Sequence, residues 1–406
     1  MELATTLTSQ TVQNAVREVG INPNYWYPVA WASQLQAGQV MPVVVWQQVI
    51  ALYRDTNGNL HALEDACPHK GVALHKGQVQ GDRLLCAYHG WEFNGEGQCV
   101  GIPYLPKEQK LPCARVRSYP VREKYSIIWV FPGDTHLAEE IPFPDVPEFD
   151  DPNWLMVPIP ARFQAHFSIC NENTMDVFHG FLHKNLQGWF NPVLINLQQT
   201  DAEVCAEYQV SYQGWMTKFL GLSEQGDQVT TRTVSIRYRY PHYNSSLEGV
   251  SSLYLMRLPV APTFTQSFSL MFLKVRLPQW LLKALDPWLS KFIWRFLLKQ
   301  FLDQDVEMIE SEQQTYLGNR QRRYVEINPA IIALQRVIIR QYEKFVQQSS
   351  QPPNHQHTDS QASEEPSVSD SQSIGCVASD SIRVNRANPI ELINLDEGNC
   401  KGDPKG

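Results

Sequence analysis

Short runs of β-branched and aromatic residues, each bounded by turn residues, recur along the first third of the chain. The clearest are YWYPVAW at 25–31, MPVVVWQQVIALYRD at 41–55 and YSIIWVF at 125–131. Runs of this length and composition are typical of β-strands. Asn57 and Gly58 stand between two such runs and form a strong hairpin-turn signal. The pattern predicts an all-β domain at 25–140, after an N-terminal segment at 1–24.

The pattern changes after residue 140. Strand-like runs continue at 203–214, 230–240 and 267–277, whereas residues 172–186 have helix-like spacing. From residue 278 to about residue 348 the spacing is helical. Asp286 followed by Pro287 fits a helix N-cap and first helical position, which predicts two helices there rather than one. A second domain of strands and helices is therefore predicted at 141–348, and the fold class is α+β.

The remaining residues, 349–406, contain no Phe, Trp or Tyr and are rich in Ser, Gln, Asn, Asp and Pro. This acidic tail is predicted to be disordered, because it cannot bury enough apolar area to offset the entropy of ordering. The formal net charge of −8 argues against nucleic acid as a partner. The first residues contain no apolar core segment, so no secretory signal is expected and the expected location is the cytoplasm.

Two cysteine–histidine pairs carry the clearest chemistry. Cys67 and His69 form a C-x-H motif, and after sixteen residues Cys86 and His89 form a C-x2-H motif. A Rieske-type [2Fe–2S] cluster needs two thiolates on one iron and two imidazoles on the other, and each motif supplies one of each. A structural Cys2His2 zinc site uses the same ligand types but usually keeps its cysteines in one half and its histidines in the other. The mixed pairs therefore favour the cluster, which passes single electrons.

A second group of candidate ligands lies at 173–183. His179 and His183 are four residues apart, so on a helix both imidazoles project from one side. Asp176 lies on the same face and can accept a hydrogen bond from an imidazole N–H. Two histidines and one carboxylate hold an iron with open positions for oxygen chemistry, so the run indicates a mononuclear Fe(II) site. The alternative is a helix with a solvated acid and two ordinary histidines.

Residues 278–302 combine an apolar stripe with basic residues. A helix of this kind can lie at a membrane surface, or it can pack on a sheet and leave a basic face in solvent. We favour the packed helix and keep peripheral membrane contact through 278–302 as the alternative. The stripe consists of Leu281, Leu285, Trp288, Phe292 and Phe296, and the basic residues are Lys283, Lys291, Arg295 and Lys299.

The sequences around the first ligand set, CPHKGVALHKG and CAYHGWEFNGEGQC, closely resemble the Rieske oxygenase family. Rieske proteins of cytochrome complexes carry one more cysteine in each ligand loop, where Val72 and Tyr88 stand here, which favours the oxygenase branch. The run from Asn173 to His183 resembles the family's Asn, Asp and His-x4-His pattern, with three residues between the histidines instead of four. The resemblance implies a Rieske domain followed by a helix-grip-like catalytic domain with a curved antiparallel sheet and C-terminal helices.

The same resemblance implies that the third iron ligand is an acid on a late helix. Asp305, in FLDQDVEMIESEQQ, matches the family pattern best. Asp303, Glu307 and Glu310 are the competing candidates.

The resemblance also implies how the chain works. Family members commonly form head-to-tail homotrimers, in which Asp176 would bridge His89 of a neighbouring subunit to His179. Electrons would come from a separate reductase or ferredoxin, since the sequence has neither a dinucleotide fingerprint nor a ferredoxin cysteine run.

The resemblance implies that O2 is activated at Fe(II) by a mono- or dioxygenase. The sequence lacks a phosphate-binding signature, which favours hydroxylation or O/N-demethylation of an apolar or aromatic small molecule. In overall layout the chain is similar to vanillate O-demethylase and to the pheophorbide a oxygenase group. A Rieske electron carrier without oxygenase activity and a zinc-stabilised binding protein are the alternative functions.

Overall fold

The computed structural model describes residues 9–106, 108–183, 186, 189–213, 229–247, 249–274, 278–320 and 322–350. These all fall in the first of the chain's two units, Met1–Gln356. Residues 351–406 of the predicted tail lie outside the described residues.

The first part of the chain forms three small antiparallel sheets, ordered β1-β10-β9, β2-β3-β4 and β5-β6-β7-β8. In the described part of 25–140 the strands are joined by turns and short 3-10 helices, which confirms the predicted all-β domain. The strands are β1 Tyr27–Trp31, β2 Val40–Val45, β3 Gln48–Arg54, β4 Leu60–Glu64, β5 Gln78–Gln80, β6 Arg83–Leu85, β7 Glu92–Phe93, β8 Cys99–Gly101, β9 Val121–Lys124 and β10 Ile127–Val130.

Strand β3 separates two apolar cores. Ile50 and Leu52 lie in the main core, which also contains side chains of the seven-stranded sheet in the second part of the chain. Ala51 and Tyr53 lie in a smaller core. The alternation follows from the strand, because successive side chains point to opposite faces. The smaller core also contains the cysteines of both predicted cluster motifs, so a packed scaffold holds the two motifs together.

The second part of the chain contains a seven-stranded antiparallel sheet in the order β11-β17-β16-β15-β14-β13-β12. Strand β13 shows why it forms: Val204, Ala206 and Tyr208 are buried at every second position, the period of a strand with one face on a core. The strands are β11 Trp154–Phe163, β12 Trp189–Gln199, β13 Glu203–Tyr212, β14 Thr230–Arg239, β15 His242–Leu247, β16 Ser251–Ala261 and β17 Phe264–Lys274.

Five α-helices lie within the described residues: α1 Ser9–Ala15, α2 Phe167–Met175, α3 Gln279–Ile293, α4 Lys299–Gly318 and α5 Pro329–Ser350. A π-helical turn, Trp294–Leu298, joins α3 directly to α4. Helix α3 runs through Asp286 and Pro287, so the predicted helix start at these residues is wrong. The chain leaves the helix only after Gly318. Packing on β11 holds α3 together, since tertiary contacts outweigh local propensity.

Helix α3 packs on the sheet, as the favoured interpretation predicts, but not through the predicted stripe. The side chain of Leu281 lies outside the described residues, and the other stripe residues face outward. Leu282, Leu289 and Ile293 form the face that packs on the sheet. Trp288 is 79% exposed and Phe292 is 53% exposed, and Leu285 and Phe296 are also exposed. The sheet covers the neighbouring face of the same helix, formed by Leu282, Leu289 and Ile293, which is why the stripe is left exposed. Among the helices that the structure describes, none combines the length and apolar character that crossing a bilayer requires.

The N-terminal segment contributes to the main core. Val12 and Val16 are fully buried, and α1 packs on α5. The carbonyl of Val19 accepts a hydrogen bond from Nε2–H of His166 at 3.1 Å. His166 immediately precedes α2, so this segment lies against the helix that leads to the predicted iron ligands.

Candidate cluster and metal centres

The two cluster motifs fold into turns of the same kind. In the first, the N–H of Cys67 donates to the carbonyl of Val72, and the N–H of Gly71 donates to the carbonyl of Cys67. The second repeats this pattern from Cys86, with Trp91 and Gly90 as its partners. Gly71 and Gly90 both have a positive φ, 71° and 68°, which glycine adopts without steric cost. The chain therefore presents two similar ligand loops.

The four motif side chains come together between these loops. The rings of His69 and His89 are 4.5 Å apart between centroids, and His69 stacks on Trp91 at 4.8 Å. Cys67 and Cys86 are free, buried cysteines. Burial raises the pKa of the Cys67 thiol to about 11, although the N–H groups of His69 and Lys70 favour the thiolate.

The donor set fits a Rieske cluster. Nδ1 of His69 is buried and has no hydrogen-bond partner among the described residues, as expected for a nitrogen that binds a metal. Two thiols and two imidazoles on paired loops are the ligands that the cluster requires.

The second candidate centre begins where α2 ends. The predicted helix at 172–186 is interrupted, since α2 ends at Met175 and a 3-10 helix follows at Val177–Phe181. Asp176 between them is extended, and its carboxylate accepts the N–H of Phe178 at 3.0 Å. An acid that caps a new helix breaks the previous one, which explains the error.

The structure brings His179, His183 and Asp305 together, with one ligand atom of each within 4.8 Å of the others. Oδ1 of Asp305, on α4, lies 3.1 Å from Nε2 of His183 and 3.8 Å from Nε2 of His179. Burial lowers the pKa of His183, but the hydrogen bond and charge of Asp305 outweigh it and raise it. Two imidazoles and one carboxylate are the donor set of non-haem Fe(II) oxygenases.

The competing acids on α4 lie elsewhere. Asp303 pairs with Lys299 at 2.6 Å on the exposed side of the helix. Glu310 accepts the backbone N–H of Gln164 at 2.8 Å, and Glu307 is exposed. Among the four candidate acids, Asp305 alone lies with the histidines.

Each imidazole has a partner that turns Nε2 towards Asp305. Nδ1–H of His183 donates to Oε1 of Gln304 at 2.9 Å. Nδ1–H of His179 donates to the backbone carbonyl of Asp176. The structure thus has a hydrogen bond from an imidazole to Asp176, and the acceptor is the backbone carbonyl of Asp176. Such partners fix the tautomer and orientation of metal-binding histidines.

Sequence reasoning missed Gln304, and the one available signal was its position beside Asp305. Asn173, singled out in the sequence, donates from its side-chain amide to Oδ1 of Asp305 at 3.4 Å. The structure thus places Asn173 at the carboxylate of the candidate iron site.

Comparisons with known proteins agree with both centres. The family models for the Rieske [2Fe-2S] domain and for the vanillate O-demethylase oxygenase C-terminal domain match residues 25–120 and 163–342. The chain is 33% identical over 339 residues to the 4β-methylsterol monooxygenase of Methylococcus capsulatus, covering 82% of this chain and 91% of that protein.

Two proteins with lower sequence identity are also similar to the chain. The chain is 25% identical to chlorophyllide a oxygenase of Arabidopsis thaliana over 319 residues, which are 73% of this chain and 53% of that protein. The structure of dicamba monooxygenase bound to 3,6-dichlorosalicylic acid superimposes with a TM-score of 0.65 at 23% identity, over 82% of this chain and 99% of that one. This structural match shows that the fold is shared.

These matches favour an oxygenase over the electron carrier and the zinc protein. They also confirm the predicted α+β architecture, a Rieske [2Fe–2S] domain followed by a catalytic domain with C-terminal helices. The chain belongs to the Rieske non-haem iron oxygenase family, as an oxygenase component.

Proposed function

We propose that the chain uses O2 and single electrons to oxidise an apolar small molecule at an iron held by His179, His183 and Asp305. A Rieske cluster on the paired loops, held by Cys67, His69, Cys86 and His89, supplies the electrons. The observation that carries the proposal is that both Nε2 atoms of the histidines face one carboxylate oxygen of Asp305.

When bound, the cluster passes one electron at a time and the iron activates O2. The chain's own residues orient and hold the ligands. Gln304 and the carbonyl of Asp176 each retain an Nδ1–H, which directs the Nε2 atoms towards Asp305, where the metal would bind. Asn173 steadies the carboxylate of Asp305 through its amide.

The assignment of the iron ligands is tested by comparing Asp305→Asn with Asp303→Asn. Both variants neutralise an acid on the same helix, but Asp303 lies at the surface, where it pairs with Lys299. We expect Asp305→Asn to lose mononuclear iron and incorporation of label from 18O2 into product, while its cluster spectrum stays intact. Asp303→Asn should keep the mononuclear iron, the incorporation of label and the cluster spectrum. Iron loss in both variants, or in neither, contradicts the ligand assignment.

The similarity to 4β-methylsterol monooxygenase supports an apolar, polycyclic substrate. The test is substrate-dependent NADH and O2 consumption, with a reductase and ferredoxin, across sterols, aromatic acids and methoxyarenes. Coupled turnover on sterols would support the proposal. Coupled turnover on small aromatic acids alone would overturn the substrate class and leave the reaction type unchanged.

We also propose a head-to-tail homotrimer in which Asp176 bridges His89 of a neighbouring subunit to His179. Exposed aromatic residues beside both centres support such an interface: Tyr88 and Tyr104 near the cluster loops, Phe178 and Phe181 near the iron site. We expect a trimer by analytical ultracentrifugation. In single-turnover experiments Asp176→Asn should slow electron transfer from cluster to iron. A monomer, or unchanged transfer, contradicts this arrangement.

The outward face of α3 supports peripheral contact with an anionic lipid surface. Trp280 is 73% exposed on the same helix as Trp288, and Lys291 and Arg295 near them are exposed too. Aromatic side chains enter the headgroup region of a bilayer, while basic side chains attract anionic lipids. A bilayer surface is also where an apolar substrate accumulates.

Co-sedimentation with vesicles containing an anionic lipid tests this contact. We expect the full-length protein to sediment with such vesicles. The double variant Trp280→Glu/Trp288→Glu should no longer sediment with them. The control is Val325→Glu, at an exposed apolar residue outside α3. Equal sedimentation of all three proteins, or a concentration-dependent dimer lost in the tryptophan variant, would assign the face to another role.

A further inference from the structure

The candidate iron site is assembled from two separate segments. His179 and His183 follow α2, whereas Asp305 is carried by α4, and 122 residues separate His183 from Asp305. Metal affinity therefore depends on how accurately α2 and α4 are held relative to each other, because donor atoms must stay within a few tenths of an ångström of their bound positions.

A buried arginine from the N-terminal segment joins the two helices. Nη2 of Arg17 donates to Glu172 on α2 at 2.7 Å and to Glu312 on α4 at 2.8 Å. Nη1 of Arg17 donates to Ser168, also on α2, at 2.6 Å and to the second carboxylate oxygen of Glu172. Arg17 is 7% exposed and Glu172 is 6% exposed, so water screens this pair only weakly.

Glu172 and Glu312, the two acids that Arg17 joins, are placed near residues of the candidate iron site. Glu172 immediately precedes Asn173, which contacts Asp305. Glu312 is seven residues after Asp305, about two helical turns, so both lie on one face of α4. The face of α4 that supplies the iron ligand is therefore the face that Arg17 fastens to α2.

The segment that carries Arg17 is itself anchored. Val12 and Val16 are buried in the main core, and Glu18 accepts a hydrogen bond from Tyr316 near the end of α4. This segment precedes residue 25, where the match to the Rieske domain begins, so it lies outside both family matches.

We propose that Arg17 is a positioning residue for the iron site, which fastens α4 to α2 and so keeps Asp305 within binding distance of His179 and His183. The proposal rests on the iron ligands assigned under the proposed function. It gives the N-terminal segment a role in the catalytic domain.

The decisive variant is Glu312→Gln, which weakens only the link to α4. Arg17 keeps its bidentate partner Glu172, and Glu312 is partly exposed, so the protein should fold and retain its cluster. The matched control is Glu307→Gln, at an exposed acid on the same helix. Arg17→Lys retains the charge but cannot reach all three partners with a planar fork of donors.

Fe(II) and Co(II) titrations of the cluster-loaded protein give the readout. We expect Glu312→Gln and Arg17→Lys to bind Fe(II) roughly tenfold more weakly, the size of effect seen when groups that orient metal ligands are removed. The visible spectrum of bound Co(II) at saturation should also change, since the coordination geometry changes. Glu307→Gln should match the unsubstituted protein in both measurements.

Unchanged affinity and an unchanged Co(II) spectrum in both variants would overturn the proposal, even if their melting temperatures fell. Failure of the unsubstituted, cluster-loaded protein to bind Fe(II) would instead overturn the iron site itself, and this inference with it. Binding by the unsubstituted protein separates the two cases.

Discussion

The two candidate metal centres are built in opposite ways. The cluster loops, residues 67–72 and 86–91, each close with their own backbone hydrogen bonds and lie on one small core. The proposed iron site joins His183 to Asp305, 122 residues apart, and depends on packing between α2 and α4. A locally closed loop carries its geometry with it, whereas a site assembled from distant segments takes its geometry from the whole domain.

This contrast implies different sensitivities. Damage to the cluster should come mainly from changes within the loops themselves. The iron site should respond to residues that touch no ligand. Substitutions that affect one centre and spare the other measure how separate the two are.

The largest effect is expected from Cys86→Ser, which removes a proposed cluster ligand. The cluster and product formation should be lost, while Fe(II) binding at the second centre persists, because no residue of that site lies in the loops. Iron and acid-labile sulfide analysis with EPR measures both. Cys99→Ser is the control, since Cys99 is a free thiol in the same core outside the motifs. Cluster loss in both variants, or loss of Fe(II) binding in Cys86→Ser, would contradict the separation.

A smaller effect is expected from Gln304→Leu. Without an acceptor for its Nδ1–H, His183 is less firmly oriented, and we expect roughly tenfold weaker Fe(II) binding with an unchanged cluster. Isothermal titration under anaerobic conditions measures the affinity. Gln300→Leu, at an exposed position on the same helix, controls for the loss of an amide. Equal affinities in the two variants would show that Gln304 does not orient the ligand.

The smallest effect is expected from alanine at the loop glycines. An L-residue in the left-handed region costs about 1 kcal/mol, which both Gly71→Ala and Gly90→Ala should lose from the free energy of unfolding. Gly90→Ala should lose more, since its Cβ would meet Cγ of Pro103 at 2.9 Å, whereas the space at Gly71 is open. Denaturant unfolding of the cluster-loaded protein measures both. A larger loss at Gly71 would show that the loops are not equivalent turns.

The sequence predicted the cluster motifs better than the iron site, because the motifs are local and the iron site depends on packing between distant segments. Both cluster motifs are short and local, so their ligand types and spacing sufficed. The continuous helix predicted at 172–186 is interrupted at Asp176, because an Asp can cap a new turn as well as continue a helix. Asp305 was found through family resemblance, and Gln304 and Arg17 were missed, because only the packing of α2 on α4 gives them a partner.

The exposed face of α3 shows the same limit. An amphipathic pattern states that a helix has two faces, but the sheet decides which face it covers. Leu282, Leu289 and Ile293 pack on the sheet, so Trp280 and Trp288 are left exposed. A hydrophobic pattern alone could not rank these two faces.

The most direct test of two separate centres is the ratio of iron to acid-labile sulfide in the purified, Fe(II)-loaded chain. A Rieske cluster with a mononuclear iron predicts about three irons and two sulfides per chain, falling to about two irons and two sulfides in Asp305→Asn. Two irons with two sulfides in the unsubstituted chain after Fe(II) loading would contradict the account, because the electrons would then have no iron to reach.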